Sequence, residues 1–159
     1  MLFGRRLLLL VILSIAAIFR SEADDALRRK IGQMFILGFP GTTLSDTIRT
    51  DLADRNLGGV IFMGANCSSP AQVHTLTTAV KSAAATPPFI AVDEEGGLVA
   101  RLNQTDGYAP TVSEYQLGTL WHSLDSTSRQ AATFASWLSA GGFTTDFAPV
   151  VDVDVNPTS

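Results

Sequence analysis

Three consecutive carboxylates, Asp93, Glu94 and Glu95, are the side chains of this sequence whose type and spacing best suit chemistry. They directly follow the apolar run Phe89–Val92, although strands disfavour aspartate and adjacent like charges. The two glycines that come next allow a sharp turn and close approach of a ligand. Arg101 follows shortly, and its planar guanidinium can donate two hydrogen bonds to one group. The segment predicts a binding loop, and the alternative is an acidic loop paired with Arg101 for solubility.

The elements that must position this loop alternate between short apolar runs and amphipathic stretches. Strands that are apolar throughout are typical of sheets covered on both faces, and the helices between them supply the crossovers of parallel pairing. Ligands bind at the carboxyl ends of such strands, which is where the carboxylates lie. We predict strands at 34–37, 60–63, 89–92 and 145–150, with helices over 45–55, from 69 to the prolines at 87 and 88, and over 126–140.

The pattern of four strands leaves two architectures open. Both a doubly wound sheet and a (β/α)₈ barrel use strands separated by helices. A complete barrel needs about 250 residues. The 159 residues here would supply about half of one.

Composition excludes several classes of function. The chain is 46% hydrophobic and carries a net charge of −4, so it lacks the basic face that a nucleic-acid-binding protein requires. Its single cysteine, Cys67, cannot form an internal disulfide, and we expect it to be a small buried apolar residue. With one cysteine and two histidines, the sequence also lacks the ligand spacing of a zinc site.

The first residues predict export. Arg5 and Arg6 precede an apolar run over 7–19, and small residues flank Glu22, which together form the three parts of a secretory signal. The run has 13 residues, about 20 Å as a helix, whereas a bilayer core is about 30 Å thick. We therefore predict a signal peptide over 1–23, a mature part over 24–159 and no stable membrane insertion. An uncleaved anchor is the alternative.

The segment from Phe89 to Gly97, with Val99 and Arg101, resembles the sugar-binding signature of family 3 glycoside hydrolases, most closely the β-N-acetylhexosaminidase branch. The resemblance covers residues 28 to 157. Three further segments lie in the same order as in that family: Ile31-Gly32-Gln33-Met34 with Gly38-Phe39; Leu57-Gly58-Gly59-Val60-Ile61-Phe62 followed by Asn66; and Gly142-Phe143 to Asn156-Pro157.

This resemblance implies an α/β fold, the N-terminal half of a TIM-type (β/α)₈ barrel with about four β/α units. It implies retaining hydrolysis of terminal N-acetyl-β-D-glucosaminides, a carbohydrate partner and no metal or organic cofactor. Asp93 matches the family carboxylate that accepts hydrogen bonds from sugar hydroxyls, and Arg101 matches an arginine that contacts the same sugar. We expect Glu95 to organise the loop rather than to attack the sugar.

The sequence departs from the family pattern at two contacts, because Leu98 and Ala65 stand where arginines are common. The family's catalytic groups, a histidine–aspartate acid/base pair and an aspartate nucleophile, lie C-terminal to all matched segments. Neither His74 nor His122 lies in the family's histidine motif, so we expect both to be structural or solvated. No residue is assigned as catalytic, and we expect the 159-residue chain to have no turnover of its own. A non-catalytic sugar-binding or remnant protein is the alternative.

The remaining candidate residues are not assigned to the binding loop. Asp152 and Asp154 are expected to be structural rather than metal ligands, and Trp137 is expected in the core, while Trp121 is undecided. Asn66-Cys67-Ser68 and Asn103-Gln104-Thr105 match the N-glycosylation pattern.

Overall fold

The computed structural model describes residues 22 and 24–151, in which strands and helices alternate as predicted. The strands are β1 (Ile36–Gly38), β2 (Gly59–Phe62), β3 (Phe89–Val92), β4 (Glu94–Gly96), β5 (Val99–Ala100) and β6 (Thr145–Asp146). The helices are α1 (24–32), α2 (Asp46–Ala53), α3 (Pro70–Ala83) and α4 (Leu124–Gly141). The predicted signal peptide, apart from residue 22, lies outside the described residues, as do Asp152 and Asp154.

Four strands form one parallel sheet in the order β1-β2-β3-β6. Leu37 lies opposite Val60, Val60 opposite Ile90, and Ala91 opposite Thr145. Crossovers between parallel strands are right-handed, so a strand order that never reverses places α2, α3 and α4 on one face of the sheet. A doubly wound sheet requires a reversal of strand order. The sequential order therefore selects an arc of a barrel over the doubly wound sheet.

Serine side chains begin the three crossover helices. Ser45 accepts a hydrogen bond from the backbone of Ile48 at the start of α2, and Ser69 does the same for Gln72 in α3. Both agree with the predicted starts of these helices. At α4, the cap is Ser123, so this helix begins two residues before the predicted position. Such caps satisfy backbone N–H groups that have no partner within the helix.

The core lies between the helices and the sheet. Phe62 in β2 makes edge-to-face contacts with Phe39 and Phe143, at ring-centroid distances of 5.5 and 5.2 Å. Such pairs stabilise beyond the area they bury. The buried face of α3 repeats at helical spacing and packs against the sheet, and Cys67 is buried as expected. The residues without exposed surface include Leu52, Val60, Val73, Val80, Ile90 and Leu102.

Asn66, which is fully buried, ties together the chain segments that follow β1 and β2. Its Nδ2 donates to the carbonyl oxygens of Phe39 (2.9 Å) and Gly41 (2.7 Å), and its Oδ1 accepts from the backbone N–H of Met63 (2.7 Å). Because the amide is buried and its hydrogens are already donated, a glycan on Asn66 is incompatible with the fold. Of the two N-glycosylation patterns, only Asn103-Gln104-Thr105 lies on an accessible turn.

The structure differs from the sequence predictions at the sheet edges. The apolar strand predicted over 34–37 was expected to be covered on both faces, yet all three residues of β1 are exposed, and Met34 beside it is 80% exposed. β1 is the outer strand of the arc, with a partner on one side only. Within the described residues, no helix combines the length and apolar character needed to cross a bilayer.

We expect Asn66→Ala to lower the free energy of unfolding by about 2–4 kcal/mol, since it leaves the buried carbonyl of Phe39, and the partly buried carbonyl of Gly41 and N–H of Met63, without partners. Urea unfolding followed by circular dichroism measures this loss. Asn103→Ala is the matched control: Asn103 caps a short accessible turn, and its loss is expected to cost about 1 kcal/mol. Equal losses of unfolding free energy in the two variants would contradict the role of Asn66 in holding the segments after β1 and β2 together.

Candidate active site

A hairpin at the carboxyl end of β3 carries the candidate site. β4 and β5 pair antiparallel, with Glu94 opposite Ala100 and Gly96 opposite Val99; we call residues 94–100 the site hairpin. Gly96 and Gly97 have φ angles of +85° and +61°, in the left-handed region that favours glycine. A Cβ on Gly96 would lie 2.4 Å from the carbonyl oxygen of Val112. The tight turn therefore requires glycine for its dihedral angle and for its packing.

Asp93 and Arg101, the two predicted sugar-binding residues, lie together at the base of this hairpin. Arg101 Nη2 donates to Asp93 Oδ2 at 3.0 Å, and each side chain keeps about a quarter of its surface exposed (29% and 25%). Arg101 Nε is buried and has no hydrogen-bond partner among the described residues. The pair is thus formed in advance, and it remains open to solvent and to a ligand.

Glu94, the first residue of the site hairpin, points into the protein. Its side chain is fully buried, and Oε2 accepts from the backbone N–H of Leu102 at 2.8 Å. Its own backbone N–H donates to Asp146 Oδ1 in β6 at 3.0 Å. These two contacts join Glu94 to the residue after Arg101 and to β6, whereas Glu95 lines the cavity beside the hairpin. Side chains alternate along an extended chain, and this period of two could have indicated that Glu94 points opposite to Asp93 and Glu95.

Burial, and to a smaller extent neighbouring carboxylates, raises the pKa of Glu94, Glu95 and Asp146. Burial raises the pKa of Glu94 from 4.5 to about 7, since hydrogen bonds from the backbone of Leu102 and Arg101 offset only part of the desolvation. Desolvation and then the adjacent Asp93 raise the pKa of Glu95. Burial, with a smaller contribution from Asp93, raises that of Asp146. The positive charge of Arg101 lowers the pKa of Glu94 and of Glu95, which offsets part of the rise.

A cavity of about 540 Å³ opens beside the hairpin. Its apolar wall is one face of α4, including Ala131, Phe134 and Leu138, and its polar wall contains Glu95, Glu114 and Asp146. Small-molecule sites are cavities of this size with apolar walls and a few polar groups. Neither Asp93 nor Arg101 is among the lining residues, so the cavity adjoins their pair without containing it.

The positions where this sequence departs from the family pattern are both exposed. Leu98, at the tip of the site hairpin, is 100% exposed, and Ala65 is exposed in the 3-10 turn Gly64–Asn66. His74 is exposed on α3, and His122 is exposed after a π-helical segment, Gln116–Trp121, that the sequence did not predict. Neither histidine lines the cavity.

The two tryptophans have different environments. Trp137 packs against the rings of Tyr108 and Phe134, at centroid distances of 5.2 and 5.8 Å, and lies against the core as expected. Trp121 is 53% exposed. Within residues 22 and 24–151, no three histidine, cysteine, aspartate or glutamate side chains are grouped to hold a metal ion.

Comparison with known proteins gives the same fold and family. The model of the glycosyl hydrolase family 3 N terminal domain matches residues 26–159. The chain is 36% identical over 129 residues to a β-hexosaminidase from Thiobacillus denitrificans, covering 78% of this chain and 35% of that protein. A β-hexosaminidase from Nitrosomonas eutropha is 35% identical over 129 residues, covering 78% of this chain and 36% of that protein. The chain spans about a third of the length of these relatives.

Solved structures of family 3 proteins have the same fold as this chain. A glycoside hydrolase family 3 β-N-acetylglucosaminidase from Paenibacillus sp. superimposes with a TM-score of 0.77 at 32% identity, covering 82% of this chain and 25% of that one. NagZ from Neisseria gonorrhoeae gives a TM-score of 0.63 at 29% identity, covering 76% and 36%. These neighbours confirm that the parallel arc is part of a TIM-type barrel.

The family match spans β1 to β6, including the site hairpin and the Asp93–Arg101 pair at its base. It agrees with the barrel arc that the strand order selects. The chain belongs to glycosyl hydrolase family 3 and carries residues of that family's N-terminal domain.

Proposed function

We propose that this chain holds the sugar in a protein that hydrolyses terminal N-acetyl-β-D-glucosaminides. The observation that carries the proposal is the Asp93–Arg101 pair, formed and partly exposed at the carboxyl end of β3. The names of the relatives, β-hexosaminidase and β-N-acetylglucosaminidase, support the class of substrate.

The pair suits a sugar because its two members have complementary hydrogen-bonding capacity. An ionised carboxylate only accepts hydrogen bonds, so Asp93 can accept from hydroxyl groups while Oδ2 remains held by Arg101. The guanidinium of Arg101 only donates, and its planar fork can reach a sugar oxygen as well as Asp93. Because the pair exists before the sugar arrives, binding loses less side-chain entropy than if both groups had to be ordered.

The proposed hydrolysis also needs an acid/base and a nucleophile, and we assign neither to this site. A retaining glycosidase needs one group to attack the anomeric carbon and another to protonate the leaving oxygen. Among the described carboxylates, Glu94 is buried against the backbone, and Asp93 is paired with Arg101. The resemblance places the acid/base pair and the nucleophile C-terminal to the matched segments. We therefore assign sugar holding to this chain and bond cleavage to residues C-terminal to the matched segments.

Export belongs to the same proposal. The basic start, the apolar run over 7–19 and the small residues at 21 and 23 support a cleaved signal. A carbohydrate substrate outside the cell fits an exported hydrolase, and the net charge of −4 does not favour a nucleic-acid partner. Sequencing the N-terminus of the exported protein tests this, with Asp24 expected as the first residue. Recovery of Met1 on an exported, membrane-bound form would favour an uncleaved anchor.

We expect Asp93→Asn to weaken binding of N-acetylglucosamine by roughly ten- to hundred-fold, since hydrogen bonds to a charged group contribute about 1.5–3 kcal/mol. Isothermal titration calorimetry measures the affinity. Asp51→Asn is the matched control, because Asp51 pairs with Arg55 on α2 instead of with the site. The sugar-holding role would be refuted by equal affinity in the two variants.

We expect the purified 159-residue chain to release no product from a chromogenic N-acetyl-β-glucosaminide. A longer protein that contains this domain, with the family's histidine–aspartate loop, is expected to hydrolyse the same substrate. Hydrolysis by the 159-residue chain, abolished by Asp93→Ala, would show that its own residues suffice. Sugar binding without hydrolysis in the longer protein would instead favour a non-catalytic sugar-binding function.

A further inference from the structure

We propose that Glu94 is a positioning residue whose buried carboxyl holds the site hairpin in place, so that Arg101 meets Asp93. Glu94 is among the residues around the cavity, but its side chain has no exposed surface and its carboxyl bonds the backbone of the residue after Arg101, so we assign it no contact with the sugar. The effect on sugar binding rests on the proposed function, whereas the effect on the hairpin does not.

The first argument is the spacing of two consecutive contacts. Asp93 contacts Arg101, and Glu94 contacts the backbone of Leu102, so both contacts join residues eight apart in the chain. The second lies directly beside the first and is fully buried, while the first is partly exposed. A buried contact to the backbone of Leu102 fixes the position of the backbone from which the neighbouring Arg101 side chain extends. The exposed ion pair alone would contribute little, since such pairs are screened by solvent.

The second argument is that Glu94 also connects the hairpin to the main sheet. Its backbone N–H donates to Asp146 Oδ1 in β6, while its side chain holds Leu102 just beyond β5. The ladder between β4 and β5 is short and irregular, with a register shift between Glu94 and Gly96. Two short strands are not stable by themselves. Glu94 therefore contributes a connection at each end of the hairpin.

The third argument concerns the protonation state that fits this position. Glu94 Oε1 is buried and accepts no hydrogen bond in the described part of the chain, and the buried hydroxyl of Tyr108 likewise has no partner there. A buried charge with an unsatisfied oxygen is costly, whereas a neutral carboxyl needs less solvation. The ionisable groups around Glu94 come from several elements: Asp93 and Asp146 at the ends of strands, Cys67 after the 3-10 turn Gly64–Asn66, and Arg101, Asp106 and Tyr108 beyond β5.

The hairpin should consequently loosen as pH rises. The pKa of Glu94 is about 7 in the closed hairpin against 4.5 ordinarily, so the closed form binds the proton more tightly than an open form. Closure is then most favourable below about pH 4.5, weakens as pH rises to about 7 and is constant above it. A neutral glutamine keeps the oxygen that accepts from Leu102 and removes the charge. Glu94→Gln should therefore keep the hairpin closed at every pH.

The direct test measures the amide of Leu102 by NMR in the full chain from pH 5 to pH 8.5. In the wild-type protein, we expect its nitrogen shift to titrate with a midpoint near the pKa of Glu94, about 7. We also expect its hydrogen-exchange protection factor to fall by roughly 70-fold, which is what a pKa of about 7 against 4.5 implies between these two pH values. Glu94→Gln should abolish both changes and keep the high protection, and Glu94→Ala should lower protection at every pH. Asp51→Asn, on α2, should behave as wild type.

The sugar measurement follows with the same variants. Affinity for N-acetylglucosamine should fall from pH 5.5 to 8 in the wild-type protein, by at most roughly 30-fold, and stay constant in Glu94→Gln. A titration of Leu102 that persists unchanged in Glu94→Gln, or full protection and affinity in Glu94→Ala, would refute the role of Glu94. If the Leu102 titration follows Glu94 but no variant binds the sugar at any pH, the proposed function fails and the control of the hairpin by Glu94 stands.

Discussion

The parallel pairing of β3 with β2 on one side and β6 on the other is the constraint on which the site depends. Ile90, Ala91 and Val92 have no exposed surface, so the strand that leads to Asp93 is fixed by packing on both faces and by ladders at both edges. Parallel strands bring their carboxyl ends to one edge. Asp93 and Asp146 approach each other there because Val92 lies opposite Asp146 in the register.

Two buried polar side chains hold the chain segments that follow the strands at this edge. Asn66 holds the segments after β1 and β2, and Glu94 holds the hairpin after β3 against β6. Each satisfies backbone groups that irregular chain would otherwise leave unpaired away from water. The difference between them is charge: an amide is neutral at every pH, whereas a carboxyl in the same surroundings depends on its proton. The two sides of the same edge therefore respond differently to pH.

The sequence predicts the elements that local patterns determine. It does not predict those that depend on contacts with distant parts of the chain. Strand β3, the helix cap at Ser69 and the meeting of Asp93 with Arg101 all follow from apolar runs, capping residues and a motif. The exposure of β1 does not follow, because an apolar run does not reveal whether a neighbouring strand is present. The π-helical segment and the β4–β5 pairing are set by contacts with distant residues, such as Gly96 against Val112.

Glu94 combines an unfavourable contribution to stability with a role in positioning. Because its pKa is raised, ionisation of Glu94 lowers the stability of the folded protein at neutral pH, and a hydrophobic or amide side chain would avoid that loss. A hydrophobic side chain, however, could not accept from Leu102, and the hairpin would lose the contact beside Arg101. Glutamine would keep the contact without the charge. A carboxyl differs from glutamine at this position only in making the hairpin, and with it the Asp93–Arg101 pair, sensitive to pH near neutrality.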